Sequence, residues 1–459
     1  MKHHESSIGK HAIVIGASIG GLLAARVLAD RFERVTILER DAFPQTPQPR
    51  RGVPQGQHPH GLLSAGYRVL QRFFPDIDAD LRAAGALFLD VTNDGGWFQN
   101  GGYLTPAPSD LRGVSLSRPA LEAVVRACVL RLGNVSAETG VSVLSPVMDG
   151  ARRVTGVTLN RGSGDERLSA DLVVDASGRG SRSSAWLERN GFAPPTVSEI
   201  GVNMAYATRH YRRAEDDLGG RTLLIVAPHA PLQARGAVAL AQEGESWAVT
   251  LIGMHGDHPP TDETGFLEFA QGLPTGDVFD LIAHAEPISE IVPYKYPASL
   301  RRHYEKLRAF PTGYLVLGDA LCSFNPIFGQ GMTVACLEAV ALEACLSRGT
   351  QRLWQRFFKC AARVIDTAWM LAATADFAFS QTVGRRGPEV RPLNAYIGRL
   401  LCAAWRDPVL TVAFHRVANL TQPPVSLFAP QIVWRVIRGA TRRSSPALRL
   451  AHFASSAGD

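Results

Sequence analysis

Three stretches of this 459-residue sequence place side chains where they could do chemistry. Gly16-Ala17-Ser18-Ile19-Gly20-Gly21, with Ala25 four residues on, matches a dinucleotide fingerprint in which serine replaces the second glycine. Gly16 permits a tight turn, and the small Ser18 lets a pyrophosphate approach backbone N–H groups. Gly21 lets a helix lie close to its strand. Glu39, 23 residues after Gly16, stands where a carboxylate accepts hydrogen bonds from ribose hydroxyls, which argues against a 2′-phosphate there. The second stretch is Gly318-Asp319-Ala320, followed by Pro326, Gly329, Gln330, Gly331 and Met332. Asp319 can bind a polyol hydroxyl, while Gly329 and Gly331 let backbone approach a flat ring. A helix starting near Gly331 aims the positive end of its dipole at that ring and stabilises negative charge on it. The third stretch, residues 40–60, is rich in proline, glycine and glutamine and too long for a plain connector, which marks it as functional.

These groups need a scaffold that gathers strand ends. Residues 11–16 and 35–39 read as buried parallel strands, and 18–30 carry helical spacing in Leu22, Leu23, Ala25, Val27 and Leu28. Together they make a βαβ unit. The patterns predict helices over 62–74 and 119–132 and strands over 141–144, 154–159 and 172–175. Between 202 and 253 the pattern turns to β, with strands at 202–209, 222–226 and 247–252, so a separate sheet is inserted there. The α/β pattern resumes with a strand at 314–317 and a long helix from Gly331. From Gln351 the chain reads almost wholly helical, with breaks near Pro388, Pro392, Pro408, Pro423 and Pro424.

The length exceeds the roughly 250–300 residues at which one core stops growing, so two intimate domains and a tail are expected. The net charge of +6 comes from scattered arginines rather than a basic run, so nucleic acid is not an expected partner. Six cysteines without a CxxC pair disfavour a metal or disulfide framework and suit a reducing cytoplasm. Residues 1–10 hold no apolar signal core, and no window approaches eighteen uninterrupted apolar residues, so a soluble protein without a membrane span is expected.

GASIGG with Glu39, Ser117-Arg118-Pro119 opening a helix, Asp175-Ala176-Ser177-Gly178, and GDALCSFNPIFGQGM resemble the FAD-dependent monooxygenases of the aromatic-hydroxylase fold over about residues 10–345. That resemblance implies an α/β protein: a Rossmann-type FAD-binding domain (8–75, 111–190 and 300–347), an inserted mixed β-sheet substrate domain (76–110 and 191–299), and a C-terminal helical region (348–459). It implies that Gly16, Ser18, Gly21 and Glu39 hold the ADP half of FAD. Arg118 would contact the cofactor, and Asp319 would bind its ribityl-pyrophosphate region. Arg40, Arg51, Gln55, Gly329, Gly331 and Met332 complete the expected cofactor set. The run Arg50-Arg51-Gly52-Val53-Pro54-Gln55-Gly56-Gln57-His58-Pro59-His60, with DASGRGSR and FNPIFGQGM, is similar to flavin epoxidases of polyether pathways and related natural-product enzymes. NADPH-using aromatic hydroxylases carry an Asp-Gly pair where this chain has Asp175-Ala176. The departure resembles relatives fed by a separate flavin reductase, with NAD(P)H as the ultimate electron source. The tryptophan-rich motif and catalytic lysine of flavin-dependent halogenases find no match, and Trp97 stands alone in GGWFQNGG.

The resemblance implies epoxidation or hydroxylation of an apolar secondary metabolite by O2 through a flavin C4a-hydroperoxide, with no side-chain nucleophile required. His58 is a candidate for proton delivery; with His60 it reads more readily as a turn-stabilising or ribose-contacting residue. Phe324, Pro326 and Phe328 could shape an apolar pocket. Tyr206, Arg209 and Trp247 fall on the inserted sheet, where alternation could point some toward substrate and a core or solvent-facing position is the plainer reading. The amphipathic tail could touch a membrane surface or form a helical lid on the body, and the lid is the expectation. A reductase or dehydrogenase of an isoprenoid or polyketide, and a flavin-binding protein without turnover, are the competing readings.

Overall fold

The computed structural model describes residues 7–440, so the expectations for residues 1–6 and 441–459 lie outside it. Five parallel strands form the first sheet, in the order Tyr314–Val316, Leu172–Asp175, Gly9–Ile15, Phe32–Glu39 and Val135–Thr139. Its centre is the apolar run Ala12-Ile13-Val14, fully buried between its two neighbours. A strand hidden on both faces has no polar alternation to keep, which is why the run reads as continuous. The edge strand Val135–Thr139 was not foreseen. Its sequence, VSAET, buries only Val135 and so lacks the apolar run that marked the others. The strand expected at 141–144 begins at Ser142 and runs to Met148, in a separate three-stranded sheet with Val154–Asn160 and Asp165–Ser169.

The helix Ile19–Ala29 returns over the parallel sheet and packs on the helix Gly331–Leu346, so two segments 300 residues apart in sequence start side by side. The second large sheet has eight strands. Its middle is Val292–Arg302, Val197–Arg212, Ser246–Gly253 and Arg235–Gln242, all antiparallel. Leu223–Val226 and Gly95–Gln99 extend it through one parallel pairing. One face buries Ala239, Trp247, Val249 and Leu251 beneath the helices Glu263–Gln271 and Asp277–His284. The other face carries Met204, Tyr206, Ile252 and Met254 and meets Phe377, Phe379 and Val390 from the C-terminal region.

That region is helical, as expected: Leu353–Asp376, Val390–Ala404, Pro408–Ala418 and Pro430–Ala440. Leu400, Leu410, Leu427, Ile432 and Val436 form a small core of their own. At about 1.5–3 kcal/mol per buried apolar side chain, this burial holds the helices to one another, and Leu104 and Trp97 in the same cluster join them to the body.

Candidate functional site

A cavity of about 1660 Å³ runs from the carboxyl ends of the parallel strands, beneath the eight-stranded sheet, to the C-terminal helices. A single small-ligand pocket is about 300–1,000 Å³, so this one has room for a dinucleotide and a second molecule.

The dinucleotide end starts at the turn between Gly9–Ile15 and Ile19–Ala29. Gly16 takes a φ of +99°, and a Cβ there would stand 2.7 Å from the Ala176 carbonyl oxygen. Gly21 does not line the cavity. A Cβ on it would stand 1.9 Å from the Gly16 oxygen, so its role is the close approach of helix and strand. The helix Ile19–Ala29 has neither a side-chain cap nor an acidic residue in its first turn, which leaves its positive end facing the cavity. The Ser18 hydroxyl is engaged elsewhere. It accepts from Arg118 Nη2 at 2.7 Å and donates to Glu122 Oε2 at 2.9 Å.

Glu122 anchors a buried charge network that sequence reading missed. Its Oε1 accepts from Arg50 Nε at 2.9 Å and also pairs with Arg50 Nη2, while Arg50 Nη1 lies 3.0 Å from Glu39 Oε2. Glu39 also accepts from the amides of Ala17 (2.8 Å) and Asp41 (3.0 Å). Burial works to raise its pKa, but the Asp41 amide, Arg50 and the Ala17 amide win, leaving it below the usual carboxylate range. Burial also lowers the pKa of the Arg118 guanidinium, against the pull of Glu122 and Asp319. The network corrects one expectation. Arg51 is exposed at its turn and does not line the cavity, whereas the adjacent Arg50 is 7% exposed and fixed beneath it. Arg40 and Gln55 do line the cavity. The signal available in sequence was Glu122 itself, one helical turn after Arg118.

The second motif meets the first. Asp319 lines the cavity; burial raises its pKa, against the opposing charges of Arg118, Arg179 and Arg302. Gly329 has a φ of +62°, and the helix Gly331–Leu346 opens with no side-chain cap and no acid in its first turn. Gly331 and Met332 line the cavity beside it. Below, Glu338 is fully buried and accepts the Gly318 amide at 2.6 Å; burial pushes its pKa up to about 8. Asp175 is spent on its own turn, accepting from the Ser177 amide (2.9 Å), Ser181 Oγ (2.6 Å) and Ser183 Oγ.

Beyond these motifs the lining changes character. Tyr206 and Tyr294 stack 5.2 Å apart, with Met204, Ile225, Ile252 and Phe379 around them. His58 sits against both tyrosines, bonds Thr208 Oγ1 at 2.7 Å through Nδ1, and is held neutral by burial, its pKa lowered to about 4. It pins the long loop to the sheet, while His60, which also lines the cavity, turns its ring back on the His58 carbonyl at 2.8 Å. Phe324, Pro326 and Phe328 line the cavity as well. Arg209 and Trp247 do not: the first pairs with Glu263, and the second is core.

Two polar side chains here had no sequence signal. Asp376, 2% exposed at the end of its helix, accepts from Asn325 Nδ2 at 2.8 Å, and burial pushes its pKa up to about 7. His415 packs its ring 4.2 Å from Trp97, and burial lowers its pKa to about 3.

These residues fit FAD. The uncapped start of Ile19–Ala29 with the Arg118 and Arg179 cations suits a pyrophosphate, the uncapped start of Gly331–Leu346 a flavin ring, the Glu39 carboxylate a ribose, and Asp319 the polyol chain. Arg118 Nε and Gln330 Oε1 are buried without a hydrogen-bond partner among the described residues, as expected of groups shaped for a ligand. Among the described residues no cluster suits a metal ion, and no helix is long and apolar enough to cross a membrane.

Comparison with known proteins agrees with this geometry. The chain is 34% identical over 442 residues to Protein Rv3254 of Mycobacterium tuberculosis, an overlap of 93% of each chain. No protein-family model matches it. Its fold is that of FAD-dependent monooxygenases and flavin-dependent halogenases. One such structure is pqsL, a probable FAD-dependent monooxygenase from Pseudomonas aeruginosa, with a TM-score of 0.59 and 16% identity over 80% of this chain and 98% of that one. The flavin-dependent halogenase CmlS aligns with a TM-score of 0.65 and 16% identity over 91% and 77%. A flavoprotein/dehydrogenase from Cytophaga hutchinsonii aligns at 0.66 and 16% over 94% and 98%.

Proposed function

This chain belongs to the same family as Protein Rv3254, and we propose that it is an FAD-dependent monooxygenase that moves one oxygen atom of O2 into an uncharged, apolar organic substrate by epoxidation or hydroxylation. The observation that carries this reading is one continuous cavity, cationic and lined by helix starts at one end, aromatic and without arginine or lysine beneath the sheet and C-terminal helices.

FAD bound there supplies the electrons that activate O2 and the site from which one oxygen atom is transferred. The Ser18 turn, Arg118 and the start of Ile19–Ala29 would hold the pyrophosphate, with Glu39 on the ribose and Asp319 on the ribityl chain. The start of Gly331–Leu346 would offset charge on the reduced ring. Met204, Tyr206, Ile252 and Phe379 would orient the substrate and keep water out, while the C-terminal helices close the chamber. Asp376, with a pKa near neutrality, is the group able to hold a proton at that end. The electron source is proposed as a separate flavin reductase fed by NAD(P)H, because Asp175-Ala176 stands where NADPH-using aromatic hydroxylases carry an Asp-Gly pair.

A reductase or dehydrogenase of an isoprenoid or polyketide is the second reading, favoured by the likeness to a flavoprotein/dehydrogenase. Rapid mixing of the reduced, FAD-loaded protein with oxygenated buffer separates the two. A transient spectrum distinct from reduced and oxidised flavin, with label from ¹⁸O₂ appearing in product, supports the monooxygenase. Monotonic reoxidation with unlabelled product supports the second reading. A chain that takes up no FAD defeats both.

A further inference from the structure

We propose that the outer face of the C-terminal helices docks on an anionic lipid surface, and that the cavity draws its apolar substrate from that surface. The docking stands on surface features alone; the delivery of substrate rests on the function proposed above.

The helix Pro430–Ala440 buries Ile432 and Val436 but leaves Trp434 58% and Ile437 63% exposed. The short turn before it, Pro424–Phe428, leaves Val425 70% and Phe428 46% exposed. Single exposed apolar residues are ordinary, but four large ones within thirteen positions of two packed elements form a patch. The Arg438 guanidinium lies 5.0 Å from the centre of the Trp434 ring, so an aromatic side chain and a cation sit together as they do at a membrane interface.

The charge decides between occupants. Residues 380–440 hold eight arginines (385, 386, 391, 399, 406, 416, 435 and 438) against the acids Glu389 and Asp407. That excess of six equals the net charge of the whole chain, so the remainder is neutral on balance. A second copy of this surface would bring like charge against like, whereas an anionic leaflet complements it. Arg391, Arg399 and Arg406 are exposed, while Arg416 and Arg435 pair with Asp110 and Asp407.

The patch is also continuous with the cavity. Val425 and Phe428 are exposed at the surface and line the cavity with Pro423 and Pro424. An apolar molecule dissolved in a bilayer could therefore pass from lipid to chamber without crossing water.

Co-sedimentation of the full chain with vesicles tests the docking, using phosphatidylcholine alone and phosphatidylcholine mixed with phosphatidylglycerol. The native protein is expected to sediment with the anionic vesicles and to be released by salt. The variant W434S/I437S, altered only at exposed positions, should bind about tenfold more weakly, as should R391Q/R399Q/R406Q, with unchanged circular dichroism. Three results would overturn the proposal: no binding to anionic vesicles at low salt, equal binding by W434S/I437S, or a native dimer that this variant turns into a monomer. A protein that binds vesicles but takes up no FAD would sink the proposed function and leave the docking intact.

Discussion

At the dinucleotide end of the cavity, Arg50, Glu122, Glu39, Ser18 and Arg118 are tied to one another at 2.7–3.0 Å. At the sheet-and-helix end, Asp376 Oδ2 and both ring nitrogens of His415 are buried with no hydrogen-bond partner among the described residues. The first end is charged and held by its own ion pairs, with Arg118 Nε and Gln330 Oε1 left without a hydrogen-bond partner among the described residues. The second avoids charge: its ionisable groups are displaced by burial toward their neutral forms. A site for a charged cofactor must hold its own charges in place, and mutual pairing does that. A chamber for an apolar molecule is shaped by packing, and a charge there is costly.

Substitutions can test this contrast, in order of expected effect. Gly21→Ala forces a Cβ against the Gly16 oxygen and should weaken FAD uptake by about 100-fold or prevent folding, read by flavin absorbance and circular dichroism. Near-native FAD affinity would mean the helix need not lie so close to its strand. Glu122→Gln strips Arg50 of its main partner and should cost about 3–5 kcal/mol in urea unfolding. A cost below about 1 kcal/mol would show that pairing does not shape the cofactor end.

At the other end, Asp376→Ala leaves the Asn325 amide unpaired and should cost about 1–3 kcal/mol, whereas Asp376→Asn keeps an acceptor. Their pH dependence is the sharper readout. With a folded pKa of about 7 against the 3.8 of an ordinary aspartate, the folded state binds more protons between those limits, so this group's contribution is lost as pH rises through about 7. Asp376→Asn should therefore gain on the native protein as pH rises across that window. His415 runs the other way. Lowered from 6.5 to about 3, it binds a proton more readily when unfolded, so stability is lost as pH falls below 6.5, and His415→Phe should flatten that limb. Parallel curves for native and variant proteins would refute the neutral-chamber reading. Smallest of all, Arg51→Ser should change stability by less than about 0.5 kcal/mol and leave FAD affinity unchanged, since Arg51 is exposed and away from the cavity.

The parallel strands at 9–15, 32–39, 172–175 and 314–316 could be read directly, because a doubly buried strand needs an unbroken apolar run. The edge strand at Val135–Thr139 could not, since an edge position asks little of its residues. The two glycine-rich motifs were legible because a tight turn and a backbone that must approach a ligand restrict residue choice locally. Choosing between Arg50 and Arg51 was beyond local rules. Which neighbour in an irregular loop points inward depends on Glu122, 72 residues further along.

The sequence by itself determined the βαβ turn, the loop around Asp319 and the helical character of the tail, all features whose causes lie within a few neighbouring residues. Only the tertiary structure decided that Asp376 and His415, from helices behind the last motif, would close the chamber, and that Val425 and Phe428 would stand at its mouth. Burial is what gives Asp376 and His415 their chemistry, and it arises from packing between segments far apart in the chain.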